Sequence, residues 1–405
     1  MRQPRLHIVP VVLMLVCGQG HADRRIAAIQ ATTEIPPAEL LDVGIEVFNP
    51  GVSLKKTRNE SEEMGVFRDL RESEARFIPY HLKNTLESTG QWGAVRVLPR
   101  DTGVTDVLVR GRIVKSTGLE LRLVIRVEDA TGRVWREVEY RREVDPMAYD
   151  ERAVGFGEPY QDLYNKIANS IRESRDKLST NEIYRIREVS RLRFAAELVP
   201  AVYGDYLSAT RSGKLVIENL PADDDPMIAR ADLIRSRDNM FIDTVNEYYA
   251  GFYVRMQRSY SEFRKFSYEE ERALKRQKSE ATKRKWLGGL LILGGILADA
   301  DSYAGQAAKE AAVIGGYMTI RSGFQMSEEA KIHVAAMREL AASFDMEVAP
   351  MLVDVEGETL RLQGSAESQY QEWSQLLTEI FKAETGLPGD TDAAPASTPA
   401  AGDLN

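Results

Sequence analysis

The sequence predicts an α+β protein, with an N-terminal antiparallel or mixed sheet and packed helix, a mainly α-helical domain, and a small C-terminal ββα unit. Three observations support this prediction. Residues 41–145 alternate apolar and polar side chains, residues 155–345 repeat apolar side chains at helical spacing, and residues 346–385 contain two short strands before an amphipathic helix. Strands followed by a run of helices are typical of α+β folds.

The composition is that of a folded globular protein. The chain has 405 residues, of which 43% are hydrophobic and 28% are charged, and this length is typical of two or three domains. The net charge of −9 argues against nucleic acid as a partner, because phosphate binding requires a concentrated basic face.

The N-terminus, residues 1–22, is predicted to be a signal peptide. Two arginines precede an apolar run over residues 8–16, and small residues stand at positions 20 and 22. This arrangement predicts cleavage after Ala22 and export to the periplasm of a Gram-negative cell.

Lipidation of Cys17 is the alternative, and it would make the protein an outer-membrane lipoprotein. Cys17 is the only cysteine, but Val16 stands where lipoprotein motifs place a small residue. We therefore favour simple cleavage. In either case no disulfide pair remains, so stability must come from packing.

The N-terminal domain, residues 41–145, is expected after a linker over residues 23–40. One helix is predicted around residues 78–86, with Gly90 as its stop and Pro79 as either its start or a kink. Alternating patterns predict strands at residues 41–47, 94–98, 105–114, 119–128 and 133–140. Their order predicts a sheet with a helix on one face and an antiparallel meander at its end.

A motif runs through the last three of these strands. Its positions are Asp106, Gly111, Ile113, Asp129, Thr131, Gly132 and Trp135. The motif resembles an α+β domain of the bacterial envelope. This domain occurs in the curli secretion channel subunit, in lipoprotein activators of peptidoglycan synthases and at the N-terminus of the Tol-Pal propeller protein. The whole chain resembles exported proteobacterial proteins. The resemblance implies a compartment and a fold rather than an activity.

The helical domain, residues 155–345, shows strong helical periodicity. A long helix is predicted from Pro226, with Asp225 as its N-cap. Residues 268–285 are nearly all charged or polar, which predicts a solvated helix. The apolar stripe of the long helix contains Ile234, Phe241, Val245, Tyr248, Tyr249, Phe252 and Met256.

A segment rich in glycine and alanine, residues 286–320, follows the solvated helix. Its first half, residues 286–298, would be about 20 Å long as a helix, too short for a hydrocarbon core of about 30 Å. Small residues recur every fourth position in its second half, which allows close helix contact. We therefore predict a helical hairpin, buried in the protein or in a homo-oligomer. The predicted contact positions are Trp286, Leu290, Leu293, Gly294, Ala304, Ala308, Ala312 and Gly316.

The alternative for this segment is contact with a membrane. The basic run 283–285 followed by Trp286 resembles an interfacial anchor. Under this interpretation the protein would be a membrane-inserting or pore-forming oligomer.

No catalytic, cofactor or metal site is predicted from the residues. His81 and His333 have no ligand partner at helical spacing, and Asp225 is explained as a cap. Trp92 and Trp135 are expected to pack in the core or at a sheet edge. The tail, residues 386–405, is predicted to be disordered.

Three function classes follow from these patterns. The favoured one is a non-enzymatic envelope protein that acts through protein–protein contacts. Its partners would be other envelope proteins, with peripheral membrane contact as an open alternative. The membrane-inserting oligomer is the second class. An enzyme of unrecognised type is the third, because active sites can be assembled from residues distant in sequence.

Overall fold

The α+β fold class predicted from the sequence is found in the structure, a computed structural model. It describes residues 25–52, 68–99, 105–150, 157–296, 351–355, 358–362 and 365–385, together with the single positions 332, 335, 336 and 339. The predicted hairpin beyond residue 296, the tail, Cys17 and His333 lie outside the described residues.

A five-stranded mixed sheet forms the N-terminal part. Its strands are β1 (Val43–Glu46), β2 (Val95–Leu98), β3 (Val107–Ser116), β4 (Glu120–Asp129) and β5 (Val134–Glu143). The spatial order is β2-β1-β3-β4-β5, with β1 parallel to both of its neighbours and β3, β4 and β5 antiparallel. The predicted meander is therefore confirmed. The parallel placement of β1 between β2 and β3 makes the sheet mixed.

Helices cover one face of this sheet and continue into the second half of the chain. They are α1 (Arg68–Ser88), α2 (Gln161–Arg175), α3 (Thr180–Leu198), the short α4 (Pro200–Tyr203) and α5 (Pro226–Ile296). Helix α1 runs through Pro79 rather than starting there. Gly90 follows α1 with a φ of 64°, a conformation that favours glycine at a helix stop.

The two faces of the sheet differ in chemistry. Alternate side chains of β4 point into the core, and Leu121, Leu123, Ile125 and Val127 are at most 1% exposed. The opposite face carries a lattice of arginine–glutamate pairs. Arg126, for example, bonds both Glu128 and Glu137. The charged face is therefore a solvent face, and the apolar face carries the helices.

The hydrophobic core extends past the predicted domain boundary at residue 145. Tyr140 of β5 bonds Ser170 of α2, with 2.5 Å between the two hydroxyl oxygens. Phe77 of α1 stacks on Tyr253 of α5, with ring centroids 4.5 Å apart. The sheet and the helices thus share one buried cluster. Independent folding of residues 41–145 stays a prediction.

Two small hairpins complete the described chain. β6 (Leu207–Ala209) pairs with β7 (Leu215–Ile217), a hairpin that the helical periodicity around it did not predict. β8 (Met351–Val355) and β9 (Glu358–Leu362) precede α6 (Ala366–Thr385), which is the predicted ββα unit. Helix α6 packs on α5, where Trp373 stacks on Phe241 at 5.0 Å between centroids.

Residues 25–40, predicted as part of a linker, lie along α2 and α3, with a short 3-10 helix at Pro37–Glu39. Asn169 of α2 bonds the backbone of Ala27 and Ile29, and Arg187 of α3 donates to the carbonyl oxygen of Pro37 at 2.8 Å. This segment is therefore ordered on the surface of the helices.

Candidate functional site

The motif residues predicted from the sequence form the end of the β4–β5 hairpin. One oxygen of Asp129 accepts bonds from the backbone N–H and the hydroxyl of Thr131, at 2.9 and 2.5 Å. The other oxygen accepts from the indole N–H of Trp135 at 2.7 Å. Gly132 has a φ of 79°, which the turn requires. Trp135 is half-buried, so it packs at the sheet edge.

Two further motif residues support the centre of the sheet. A carboxylate oxygen of Asp106 accepts from the backbone N–H of Asp42 at 3.0 Å, and burial raises the pKa of Asp106. A Cβ atom on Gly111 would lie 2.5 Å from ring carbons of Phe48, so the ring packs directly on the backbone. The placed motif residues thus hold the fold.

The predicted contact residues of the glycine-rich segment are only partly described. Trp286, Leu290, Leu293 and Gly294 lie in the last turns of α5, of which the backbone is described. Ala304, Ala308, Ala312 and Gly316 lie outside the described residues. The structure therefore adds one fact to the prediction, namely that the segment begins as a direct continuation of α5.

Helix α5 is the candidate functional element. It has 71 residues and is therefore about 106 Å long. Its buried side chains end at Tyr268, and beyond Glu271 the described side chains at positions 272, 273, 275 and 276 are exposed. We call residues 272–296 of α5 the arm. It extends the helix by about 38 Å beyond Glu271.

A buried polar cluster fixes α5 just before the arm. Arg264, 1% exposed, forms an ion pair with Glu158 and donates to the hydroxyl of Tyr260 at 2.7 Å. That hydroxyl donates to Glu74 of α1 at 2.7 Å, and Ser116 of β3 donates to the same carboxylate oxygen at 2.5 Å. We call these five residues the root cluster.

The root cluster is held in an aromatic environment. The guanidinium of Arg264 lies 3.8 Å from the ring centroid of Tyr260 and 5.0 Å from that of Tyr160. Such placement over ring faces stabilises a buried cation. Burial raises the pKa of Tyr260 well above its usual value, so its hydroxyl stays protonated and remains a donor to Glu74.

The turn between β3 and β4 presses on the same part of α5. A Cβ on Gly118 would lie 1.9 Å from the carbonyl oxygen of Arg264, so only glycine allows this approach. The N–H of Gly118 bonds Ser267 at 3.1 Å, and the hydroxyl of Thr117 bonds Glu271 at 2.9 Å. The sheet therefore anchors the last buried turns of α5.

Asp238 forms a second polar attachment on α5. It is 1% exposed and accepts bonds from the Tyr370 hydroxyl and the Trp373 indole N–H of α6, both at 3.2 Å. Burial raises the pKa of Asp238 to about 7. This carboxyl therefore connects the C-terminal helix to α5 through a group that titrates near neutral pH.

His81 lies in α1 and is a buried hydrogen-bonding residue. Its ring nitrogens lie 2.7 Å from the hydroxyl of Tyr253 and 2.8 Å from the amide oxygen of Gln161. Burial lowers the pKa of His81, so the ring is neutral. Within the described part of the chain, no group of three or more acidic, histidine or cysteine side chains could hold a metal ion.

Comparison with known proteins gives no match, whether to protein-family models, to curated proteins or to solved structures. Among the helices that the structure describes, none has the length and apolar character needed to cross a membrane.

The root cluster and the buried Asp238 were not predicted from the sequence. The five root residues are spread over residues 74–264, so no local motif contains them. A signal was present in α5. Asp238 and Arg264 stand at positions of its apolar stripe, four residues after Ile234 and Tyr260. A charged residue at a stripe position is predicted to be buried with partners.

Proposed function

We propose that this chain is a non-enzymatic interaction or assembly protein of the bacterial cell envelope, acting through protein–protein contacts. A globular head, formed by the five-stranded sheet, the helices α1 to α4, residues 226–271 of α5 and α6, would hold the arm, and the arm would present the glycine-rich segment to a partner protein. The predicted signal peptide and the motif of the sheet domain support the envelope location.

The observation that carries this proposal is the continuity of α5. The helix is anchored in the head by the root cluster and by the β3–β4 turn, and it continues as the arm. A helix that is anchored along residues 226–271 sets the position and direction of the arm that continues from it. This geometry suits a spacer between the head and a partner.

Photo-crosslinking in intact cells tests the proposal. A photoreactive amino acid replaces Arg276 or Ala281 in the arm, and the matched control replaces Val254, which is 67% exposed on α5 within the head. We expect discrete adducts with another envelope protein from the arm positions and none from position 254. Absence of arm adducts, or equal adducts from position 254, would contradict the proposal.

The second candidate is a membrane-inserting oligomer, which the apolar residues 286–296 at the end of α5 favour. Liposome flotation of the wild type and of the Ala312→Leu variant, beside their thermal melts, tests this candidate. Binding to a partner protein predicts no flotation, and overpacking by leucine predicts a loss of about 1–3 kcal/mol of stability. Unchanged melting with stronger flotation would support membrane insertion.

A further inference from the structure

The N-terminal segment 25–31, which we call the strap, is bound to α2 by side chains that form hydrogen bonds with its main-chain groups. Asp162 accepts from the N–H of Ile26 at 3.2 Å, and Asn165 donates to the carbonyl oxygen of Ile26 at 2.7 Å. Asn169 accepts from the N–H of Ile29 at 2.8 Å and donates to the carbonyl oxygen of Ala27 at 2.9 Å.

These three side chains form a row on one face of α2. Asp162, Asn165 and Asn169 are spaced by three and four residues, which places them on one helical face. The amide of Asn169 bonds the carbonyl and N–H groups on either side of Ala28, as the backbone of a neighbouring β-strand would. We call this row the clasp. Its side chains offer an extended segment the same kind of donors and acceptors that the edge strand of a sheet would offer.

Hydrogen bonds from neighbouring side chains fix the orientation of the clasp residues. Gln161 donates to the side-chain oxygen of Asn165 at 2.9 Å, which leaves the NH₂ of Asn165 directed to the strap. The side-chain amide oxygen of Gln161 accepts a hydrogen bond from the Nε2–H of His81, and Nδ1 of the neutral ring accepts one from the hydroxyl of Tyr253. On the other side, Arg142 bonds Asp162 at 2.7 Å. The binding groups are therefore ordered before any peptide arrives.

The strap itself contributes little buried side-chain surface. Arg25, Ala27, Ile29 and Gln30 are exposed, and Ile29 is 43% exposed despite being apolar. Since the clasp bonds main-chain groups, which every extended peptide carries, its recognition does not require this particular sequence.

From this geometry we propose that the clasp is a binding site for an extended peptide segment of another protein, and that the strap is its resident occupant in cis. The partner segment would be unstructured and extended, with a small side chain at the position that corresponds to Ala28 and an apolar one at that of Ile26. These two strap residues are half-buried against the head. The inference does not depend on the arm and goes beyond the proposed function.

A strap in cis competes strongly with a peptide in trans. A short flexible tether gives an effective concentration in the millimolar range, so removing the strap should raise the apparent affinity for a free peptide by about tenfold or more. Displacement of the strap is therefore the step at which a partner would engage the clasp.

Fluorescence anisotropy with a labelled peptide of residues 25–33 tests this proposal. The proteins are the mature chain, a chain that lacks residues 23–33, and the full chain with Ile26→Pro and Ile29→Pro. Proline lacks the N–H groups of Ile26 and Ile29 that donate hydrogen bonds to Asp162 and Asn169. The double-proline chain therefore keeps its full length, but its strap should no longer be bound. The double-proline chain also keeps the test valid if the truncated chain fails to fold.

We expect both strap-released proteins to bind the peptide at least about tenfold more tightly than the mature chain. Asn165→Ala with Asn169→Ala, added to the strap-released chain, should abolish binding, whereas the exposed neighbour Lys166→Ala should not change it. Equal binding by all proteins, or binding that survives the double asparagine change, would overturn the proposal. A mature-chain dimer that dissociates on strap removal would overturn it in favour of exchange between copies.

Discussion

At two places among the described residues, the side-chain amide of one asparagine bonds both an N–H and a carbonyl group of an extended main-chain segment. Asn169 bonds the strap, and Asn246 of α5 bonds both the N–H and the carbonyl of Val97 at 2.8 and 2.9 Å. Val97 lies in β2, an edge strand of the sheet. An amide side chain has the same donor and acceptor as a peptide group, so it can end a sheet without another strand.

Asp238 predicts a specific dependence of stability on pH. Burial raises the pKa of this carboxyl from 3.8 to about 7, with Glu197 adding to the effect and Tyr370, Trp373 and Arg235 opposing it. The folded protein therefore binds the proton more tightly than the unfolded chain. The resulting stabilisation is complete below about pH 4 and is lost as the pH rises through about 7.

Urea unfolding at pH 5 and pH 8 measures this effect. The wild type should lose about 2–3 kcal/mol more than Asp238→Asn between these two pH values, because asparagine carries no charge that must be buried. The same loss in both proteins would show that Asp238 does not titrate near neutral pH.

A side chain at position 111 is expected to destabilise the packing of the Phe48 ring. Because a Cβ at this position would lie 2.5 Å from the Phe48 ring, Gly111→Ala should lower the unfolding free energy by about 1–3 kcal/mol. The control is Gly204→Ala, since Gly204 has helical angles and nothing within 4 Å of a Cβ. Chemical denaturation of both variants gives the comparison. Equal stability of the two variants would contradict the close contact.

At the scale of elements, the root cluster predicts a strong response to the loss of one partner. Arg264→Leu leaves the Glu158 carboxylate without its cation and should cost about 3–5 kcal/mol. Replacing Glu158 with leucine as well should restore part of this loss, because the uncompensated charge is then removed. Urea unfolding of the single and double variants tests the pair. Arg276→Leu in the arm is the control, and a change of less than about 0.5 kcal/mol is expected there.

The elements that the sequence predicted well are those with a clear period. The alternation in residues 119–128 and the stripe after Pro226 follow from one side chain facing the core at a fixed interval, and both elements are found. The N-cap at Asp225 is also confirmed, because its carboxylate accepts from the N–H of Met227 at 2.8 Å. Local chemistry decides such features, so the sequence contains them.

The candidate site was far less predictable. The root cluster joins α1, β3, the segment before α2 and α5, and its pairings depend on how these elements pack. The clasp is an exception in part, since its three residues stand at helical spacing in the sequence. Its ligand could not be predicted, because the sequence of the strap carries no pattern that marks it as a partner of α2.

For the whole molecule, the predicted cleavage site lies next to the strap in the sequence, so processing of the N-terminus affects how the strap is attached. Cleavage after Ala22 would place the new N-terminus just before the strap, whereas lipidation of Cys17 would tie the strap to the outer membrane. Intact-mass measurement of the mature protein separates the two. We expect a chain that begins at Asp23 without modification, and an acylated chain that begins at Cys17 would contradict this prediction.

The proposed function depends on α5 as one continuous helix that joins head and arm. Spin labels at Val254→Cys and Ala281→Cys test this claim directly by double electron–electron resonance. The chain has only one cysteine, Cys17, which lies in the predicted signal peptide, so the labels are specific in the mature protein. A continuous helix predicts a narrow distribution near 40 Å, at about 1.5 Å per residue. A broad distribution, or one centred well below about 30 Å, would contradict the arm.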